Sequence, residues 1–286
     1  MKNFISGLVV GIANIIPGVS GGTMIVVLGM FDKVMDAISN VFKINITMKK
    51  RLEYVKFLLI FMIGAAVGIV GFAKILEILF EQFPIQTIYC FIGLILFSLP
   101  MLKKTELKGK KVNLVYLIIG IFIILGISFL NPGESSVTVS LDELLDKTLN
   151  INFIFTLVLL GVISGATMIF PGVSGSMVLL VLGYYHMFKA YVANVTSFEV
   201  MVLVPLVFIG IGVMIGIVGS AKITSYLLDK FRTNTMSLIL GLIVGSIIVI
   251  IPTSGYDLIN VLTSVVTFII GGSVILFIEN KKNEAK

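Results

Sequence analysis

The sequence predicts an all-α integral membrane protein made of two inverted-topology repeats, each containing a re-entrant helical hairpin and three transmembrane helices. Three observations lead to this prediction. The chain is very apolar, a motif rich in proline and glycine interrupts two of its long apolar runs, and its basic residues are concentrated in alternating loops. A helix broken in the middle of a membrane is typical of places where a polar group is handled within the bilayer.

The composition excludes a soluble domain. Of the 286 residues, 58% are hydrophobic and 13% are charged, whereas soluble domains have about 25% charged residues. The net charge is +6, but the cations lie in loops and at the C-terminus, so they indicate membrane topology and not a nucleic-acid partner. Cys90 is the only cysteine and is expected to be a small buried residue. We therefore expect no disulfide, no metal centre and no cofactor.

The two halves of the chain repeat each other. At an offset of 154 residues, eleven positions of 7–29 are identical to those of 161–183, and Pro-Gly-Val-Ser-Gly occurs in both, beginning at Pro17 and Pro171. At an offset of 148, Gly-Ile-Val-Gly-x-Ala-Lys-Ile occurs at 68–75 and again at 216–223. The order of these features is the same in both halves, which indicates a duplicated membrane unit.

The first repeat is predicted to cover residues 1–133. Its hairpin is the apolar run 4–31, broken near Pro17, and the polar stretch 32–56 has apolar residues at the spacing of a short interfacial helix. Runs of about 20 apolar residues suffice to cross the hydrocarbon layer. The predicted spans of this repeat are 58–79, 85–102 and 112–130.

The second repeat is predicted to cover residues 151–286, after an acidic connector at 134–150. Its hairpin, 153–185, is broken at Pro171 in the same way as the first one. The apolar runs that follow meet the same length requirement as those of the first repeat. The predicted spans of this repeat are 201–221, 235–251 and 258–278.

The loop charges decide how the interrupted segments are interpreted. If both are hairpins that return to their own side, the basic loops 32–56, 103–111 and 222–234 lie in the cytoplasm with both termini, and the connector 134–150 is extracytoplasmic. If both instead span, as kinked helices, loop 222–234 and the basic C-terminus are forced outside. Hairpin arms of about 12 residues would reach ~18 Å, less than the bilayer core. We therefore favour hairpins, and with them an inverted repeat.

The motif itself suits an anion. Pro17 fits the opening of a helix, Gly18 permits a sharp turn, and Ser20 is able to cap the second arm. Small residues after it allow a ligand close to backbone N–H groups, and a helix N-terminus carries about half a positive charge. The alternative is that these glycines and serines serve close helix packing, as we expect for the small-residue pairs of the spans.

Two lysines recur near the ends of equivalent apolar spans, Lys74 and Lys222. They are interpreted either as attracting an anionic headgroup or as extending to the lipid headgroups from the span ends. Glu77 follows Lys74 at a spacing that favours an ion pair. His186, the single histidine, is interpreted as an interfacial side chain, with a proton-linked role as the alternative.

The doubled Pro-Gly-Val-Ser-Gly hairpins, the Gly-Ile-Val-Gly-x-Ala-Lys-Ile repeats and the overall length resemble the bacterial PopT-type polyprenyl-phosphate transporters, long catalogued as a membrane domain of unknown function. The resemblance covers nearly the whole chain. It implies a flippase-type transporter that returns undecaprenyl phosphate from the outer to the inner leaflet of the bacterial cytoplasmic membrane, for reuse in cell-wall peptidoglycan synthesis. A coupling ion, proton or sodium, and a homo-oligomer are compatible with this function.

Carried over by position, the resemblance implies a headgroup site made by the two motifs, and the recurring lysines are added as candidates. The second copy has Ser176 where the first has Gly22, so the two halves of the site need not be equivalent. The candidate substrate-binding residues are Pro17, Gly18, Val19, Ser20, Gly21, Gly22, Thr23, Pro171, Gly172, Val173, Ser174, Gly175, Ser176, Lys74 and Lys222.

Two other functions fit part of the sequence. A carrier or channel for a small soluble anion would use the same helix-end chemistry. A membrane enzyme acting on lipid phosphates is the second alternative, but the sequence has no nucleophile paired with a histidine at a recurring spacing, no metal-ligand cluster and no nucleotide-binding glycine pattern. The expected function is therefore transport and not catalysis.

Overall fold

The structure is a computed structural model that describes residues 1–14, 20–107, 110–130 and 151–284, and their regular secondary structure is entirely helical. Five helices are long and apolar enough to cross a membrane, as expected of an all-α multi-pass membrane protein. Pro17, Gly18, Val19 and the connector 134–150 lie outside the described residues.

The helices of the first half are α1 (Lys2–Asn14), α2 (Gly21–Val27), α3 (Phe31–Val41), α4 (Met48–Gln82), α5 (Pro84–Glu106) and α6 (Leu114–Phe129). Those of the second half are α7 (Ile151–Ile169), α8 (Gly175–Val181), α9 (Tyr185–Ala193), a 3₁₀ turn (Val195–Ser197), α10 (Val200–Ile250) and α11 (Leu258–Glu284).

Two features differ from expectation. Residues 222–234, expected to form a loop, belong to helix α10, which contains the predicted spans 201–221 and 235–251 and leaves helical geometry at Phe231. The arms of the interrupted segments are unequal, with 13 and 7 residues in the first and 19 and 7 in the second. The reason for the first difference is that the chain turns at one residue and needs no loop.

That turn is the same in both halves. Phe83, between α4 and α5, has φ −136° and ψ 53°, and Phe231, 148 residues later, has φ −129° and ψ 39°. Thr87 Oγ1 donates to the carbonyl oxygens of Leu79 (3.2 Å) and Phe83 (2.7 Å). Thr235 Oγ1 makes the equivalent bonds, at 3.2 and 3.0 Å. At the first elbow, the hydroxyl thus adds a second hydrogen bond to carbonyls that already accept the backbone N–H groups of Phe83 (2.8 Å) and Thr87 (2.9 Å). We call residues 79–87 and 227–235 the first and second elbows.

Glycines bring the helices of each half into backbone contact. A Cβ added at Gly7 of α1 would overlap the Phe61 carbonyl oxygen of α4, and one added at Gly161 of α7 would overlap the Ile209 carbonyl oxygen of α10. Gly11, Gly64, Gly68, Gly165, Gly212 and Gly216 make the corresponding contacts. The prediction that these small-residue pairs serve helix packing is confirmed.

Glycines also join the two halves to each other. Gly93 of α5 lies against the Phe268 carbonyl of α11, and Gly241 of α10 lies against the Leu117 carbonyl of α6. The last helix of each half therefore packs on the other half, so the halves interlock instead of meeting at a simple boundary.

The contact register shows the direction of α1. Gly7 meets Phe61 and Gly11 meets Ala65, so α1 and α4 run parallel. The chain must therefore come back between them. Lys33 Nζ at the start of α3 donates to Asn3 Oδ1 (3.1 Å), and the two ends of segment 4–31 accordingly lie side by side.

The main core forms where α2 and α3 of the first half meet α5 and α10. Phe31 and Met35 of α3 are at most 1% exposed, and they belong to one cluster with Ala221 and Met236 of α10. The short helix α2 is buried along most of its length. The second arm of the first segment is consequently held inside the protein, beside the second half.

The glycine contacts lead to a prediction with a control on the same helix. Gly68→Ala should lower the thermal unfolding midpoint, because its Cβ would overlap the Leu8 carbonyl, an overpacking that costs about 1–3 kcal/mol. Gly71→Ala meets nothing within 4 Å and should be neutral or stabilising by up to about 1 kcal/mol. Thermal unfolding of both variants in detergent checks this. Equal midpoints for the two variants would contradict the proposed packing.

Candidate functional site

The two copies of the motif meet directly. The Gly172 N–H of the second copy donates to Ser20 Oγ and to Thr23 Oγ1 of the first, both at 2.9 Å. These residues are about 150 positions apart in the sequence. The predicted contact between the two interruptions is therefore present for the described part of each motif.

In the first copy, Ser20 begins helix α2. Its backbone is extended (φ −89°, ψ 145°), and its Oγ accepts the Thr23 N–H at 3.2 Å, the geometry of an N-cap. Ser20 Oγ and Thr23 Oγ1 are 3.0 Å apart. Asn14 Oδ1 at the end of α1 accepts the Gly21 N–H at 3.0 Å. The first N–H groups of α2 are thus largely satisfied within the protein.

In the second copy, Gly172 takes a conformation that favours glycine. Its φ is +81°, and a Cβ there would lie 2.7 Å from the Leu242 carbonyl oxygen of α10. Both the turn and the close approach to α10 require a residue without a side chain. Together they hold the Gly172 N–H at the Ser20 and Thr23 hydroxyls.

The serines of the two copies behave differently. Ser174, the counterpart of Ser20, makes no capping bond to helix α8, and its Oγ lies 2.7 Å from Ser176 Oγ in an exposed pair. At the position of Ser176, the first copy has Gly22, where a Cβ would lie 3.1 to 3.3 Å from backbone atoms of residues 169–171. Gly22 therefore allows the motifs to approach, whereas Ser176 adds an exposed hydroxyl.

A small pocket lies beside the meeting point. Its cavity volume is about 30 Å³, room for a water molecule or two but not for a phosphate group. The residues that line it are Ser20, Ile124, Ile127, Gly172, Val173, Ser174, Met177, Ser246 and Val249. None of these lining residues is charged, so the polar groups at this place are hydroxyls and backbone amides in apolar surroundings. Hydroxyls and backbone amides of this kind are able to donate hydrogen bonds to an anion.

The two recurring lysines, Lys74 and Lys222, do not lie at this pocket. Lys74 Nζ pairs with Glu77 Oε2 at 3.1 Å, as the spacing predicted, and the two side chains are 79% and 54% exposed. Lys222 is exposed on α10. Neither lysine lines the pocket. The remaining candidates of the second copy, Pro171, Val173 and Gly175, lie within the motif itself, and Val173 is buried.

Sequence reasoning missed two kinds of site residue. Asn14 could have been found, because it is a polar residue in an apolar run just before Pro17. Ile124 and Ile127 of α6, like Ser246 and Val249 of α10, carry no local signal, since their spans appear uniformly apolar. The described residues contain no group of three or more side chains suited to a metal ion.

Comparisons with known proteins agree over nearly the whole chain. A family model described as undecaprenyl phosphate translocase-like matches residues 10–275. The chain is 30% identical over 272 residues to a polyprenyl-phosphate transporter of Staphylococcus aureus, which covers 94% of this chain and 92% of the relative. It is 30% identical over 259 residues to one of Vibrio cholerae, covering 86% of this chain and 76% of the relative. No solved structure matches.

The hydroxyls that receive the Gly172 N–H lead to a second prediction. Thr23→Val keeps the shape of the side chain but removes one acceptor, and a lost hydrogen bond at a buried site costs roughly 1 kcal/mol. We expect a lower thermal unfolding midpoint for Thr23→Val, whereas Thr23→Ser, which keeps the hydroxyl, should stay closer to the parent protein. If the valine variant is as stable as the parent protein, the bond between the motifs contributes nothing to stability.

Proposed function

This chain belongs to the undecaprenyl phosphate translocase-like family, and from that membership we propose that it is a transporter, not an enzyme, which carries a polyprenyl phosphate across the membrane. The observation that carries the proposal is the family match over residues 10–275. The names of the two relatives, both polyprenyl-phosphate transporters, support the same substrate class.

In its full form, the proposal is a flippase-type translocation of undecaprenyl phosphate from the outer to the inner leaflet, for recycling in cell-wall synthesis. The physical task is to move the headgroup. An isolated anion moved into hydrocarbon costs tens of kcal/mol in the Born limit, whereas the isoprenoid tail is already soluble in lipid. The protein need only offer the phosphate a polar path and leave the tail outside.

We propose that segments 4–31 and 153–185 are re-entrant hairpins. The hydrogen bond between Asn3 and Lys33 supports this for the first segment, because it brings the two ends of the segment together. In the second segment, Phe153 at one end packs in the same cluster as Tyr184 at the other. A segment whose ends meet returns to the side from which it entered.

The parallel contacts also support an inverted repeat. If α4 runs outward, then its parallel partner α1 runs outward and α5 runs back. The contact of Gln86 with Asn260 and that of Gly93 with Phe268 make α11 parallel to α5, hence inward. The contacts of Gly120 and Gly241 show in the same way that α6 is parallel to the second arm of α10, and both then run outward. The first arm of α10, with α7 alongside, is then inward. Each element of the second half thus opposes its counterpart.

We propose that the headgroup binds where the motifs meet, between Pro17–Thr23 and Pro171–Ser176. In this conformation the Ser20 and Thr23 hydroxyls hold the Gly172 N–H, and the pocket is too small for phosphate. The phosphate would replace these hydroxyls at Gly172 as the two motifs separate, with Ser174 and Ser176 as further donors. Lys74 and Lys222, exposed on two equivalent helices, would attract the headgroup before it enters.

We further propose the bacterial cytoplasmic membrane as the location, with both termini in the cytoplasm. The basic loops and termini then lie on one side, as the positive-inside rule requires. The exposed side chains of the spans are mainly apolar, which suits contact with lipid.

The transport proposal is tested with purified protein in vesicles that contain a labelled polyprenyl phosphate in one leaflet. The double variant Ser174→Ala/Ser176→Ala should translocate the lipid several-fold more slowly, because it removes two exposed donors beside Gly172 and disturbs no buried contact. The control is Ser254→Ala, an exposed serine in the 251–257 loop that should leave the rate unchanged.

The same vesicles separate the two alternatives. Movement of free phosphate with no movement of the lipid would favour a carrier or channel for soluble anions. Release of inorganic phosphate that Ser174→Ala abolishes would favour a lipid-phosphate enzyme. Undiminished lipid transport by the double serine variant would leave the translocator in place but remove these serines from its site.

A further inference from the structure

The two repeats are not in equivalent conformations, and we infer from this that the structure shows one of two alternating states. Here helix α3 of the first half is closed against the second elbow. In the other state, helix α9 of the second half would close against the first elbow, and α3 would separate from α10. This inference rests on the inverted arrangement proposed above, but not on the identity of the transported anion.

The closed contact is both apolar and ionic. Phe31, Val34 and Met35 of α3 are 2% exposed or less and share a cluster with Ala221 and Leu228 of α10. At the edge of this contact, Arg232 Nη2 lies 2.7 Å from Asp32 Oδ2, and the two side chains are 28% and 48% exposed. Arg232 directly follows Phe231, the residue at which α10 bends.

The equivalent contact in the other half is open. The helix at the position of α3 is α9, and the helices at the position of α10 are α4 and α5. Among the described residues, α9 packs on α8 and α10, but it forms no comparable contact with α4 or α5. The duplicated architecture is thus closed on one side only.

Burial shows the same asymmetry within the duplicated sequence. Residues 68–75 and 216–223 are identical except at one position, yet residues 69–75 are all exposed whereas Ser220 and Ala221 are buried, at 6% and 0%. Ala73, the counterpart of Ala221, has the same side chain and is exposed. The second copy uses this surface to receive α3, whereas no helix of the described part of the chain covers the same surface of the first copy.

Oppositely charged side chains are present at both the closed contact of α3 and the open one of α9. In the closed contact, acidic Asp32 of α3 faces basic Arg232. In the open one the signs are reversed, because α9 carries exposed Lys189, whereas the end of α4 carries exposed Glu81 beyond the Lys74–Glu77 pair. We therefore assign the second closed contact to α9 on the first elbow, with Lys189 facing Glu81.

The two closures would be mutually exclusive if the path opens to one side at a time. In the present state, the Ser20 and Thr23 hydroxyls hold Gly172 in the centre while α3 seals one side. Closing α9 on the first elbow while α3 leaves the second would expose the same centre to the opposite side. Alternation then follows from one set of contacts made twice, in opposite orientations.

Pairs of introduced cysteines test this in membrane vesicles, in a Cys90→Ala background. Lys189→Cys with Glu81→Cys should form a cross-link with a short bifunctional thiol reagent, although the two sites are not in contact here. Asp32→Cys with Arg232→Cys should also cross-link. The control pairs Lys189→Cys with Glu53→Cys, which lies at the opposite end of α4 from Glu81, and it should give no cross-link.

When all four of the cysteines at 32, 81, 189 and 232 are present, trapping one pair should suppress the cross-link of the other. No 81–189 cross-link, or simultaneous cross-links at both pairs, would overturn the inference.

Charge reversal gives an independent readout. Lys189→Glu should slow lipid transport several-fold by setting like charges on α9 and α4, and Glu81→Lys added to it should restore most of the rate. Absence of rescue would overturn the assignment of Lys189 to Glu81. Because the cross-links do not depend on what is carried, alternating cross-links without lipid transport would contradict the proposed function and leave the two-state inference intact.

Discussion

Close backbone contact between helices is the constraint on which the rest of this structure depends. In lipid there is little hydrophobic drive for helices to associate, so they must approach closely enough for packing to hold them. Gly7, Gly68, Gly161 and Gly216 supply this approach within each half, and Gly93, Gly120, Gly241 and Gly271 supply it between the halves. Because each contact presses a glycine against a carbonyl, the register of these four helix pairs (α1 with α4, α7 with α10, α5 with α11 and α6 with α10) is set. The interrupted segments are then carried to one meeting point.

Where the two motifs meet, hydrogen bonds and not glycine packing hold the two halves together. The Gly172 N–H, presented by a positive φ, is held by two hydroxyls from the other half. In an apolar environment an unpaired amide would be costly, so the protein satisfies its own donor when no ligand does. In the proposed headgroup site, an anion would take the place of these two hydroxyls at the Gly172 N–H. Neither partner carries a charge that would have to be buried in both states.

The structure also combines symmetry with asymmetry. The elbows at Phe83 and Phe231 have nearly the same backbone angles and equivalent threonine bonds, so the duplicated unit is preserved in detail. Yet α3 packs on the second elbow, whereas among the described residues α9 makes no comparable contact with the first. A duplicated protein with only one of two equivalent contacts closed contains the surfaces of a second conformation within its own sequence.

The sequence by itself showed the apolar runs, the two interruptions and the Lys74–Glu77 pair, because each depends on residues close together in the chain. The duplication was visible as well, because it is a property of the sequence alone. It did not indicate the single-residue turn at Phe231, since the flanking polar residues resemble those of a loop. Only the tertiary structure decided that α6 and α11 pack on the opposite half and that Ile124 and Val249 line the pocket. It also decided that the Asn14 side chain accepts a hydrogen bond from the Gly21 N–H. The clearest case is the pair of segments 68–75 and 216–223. Nearly identical sequences are exposed in one half and partly buried in the other, because burial depends on what lies opposite and not on the segment itself.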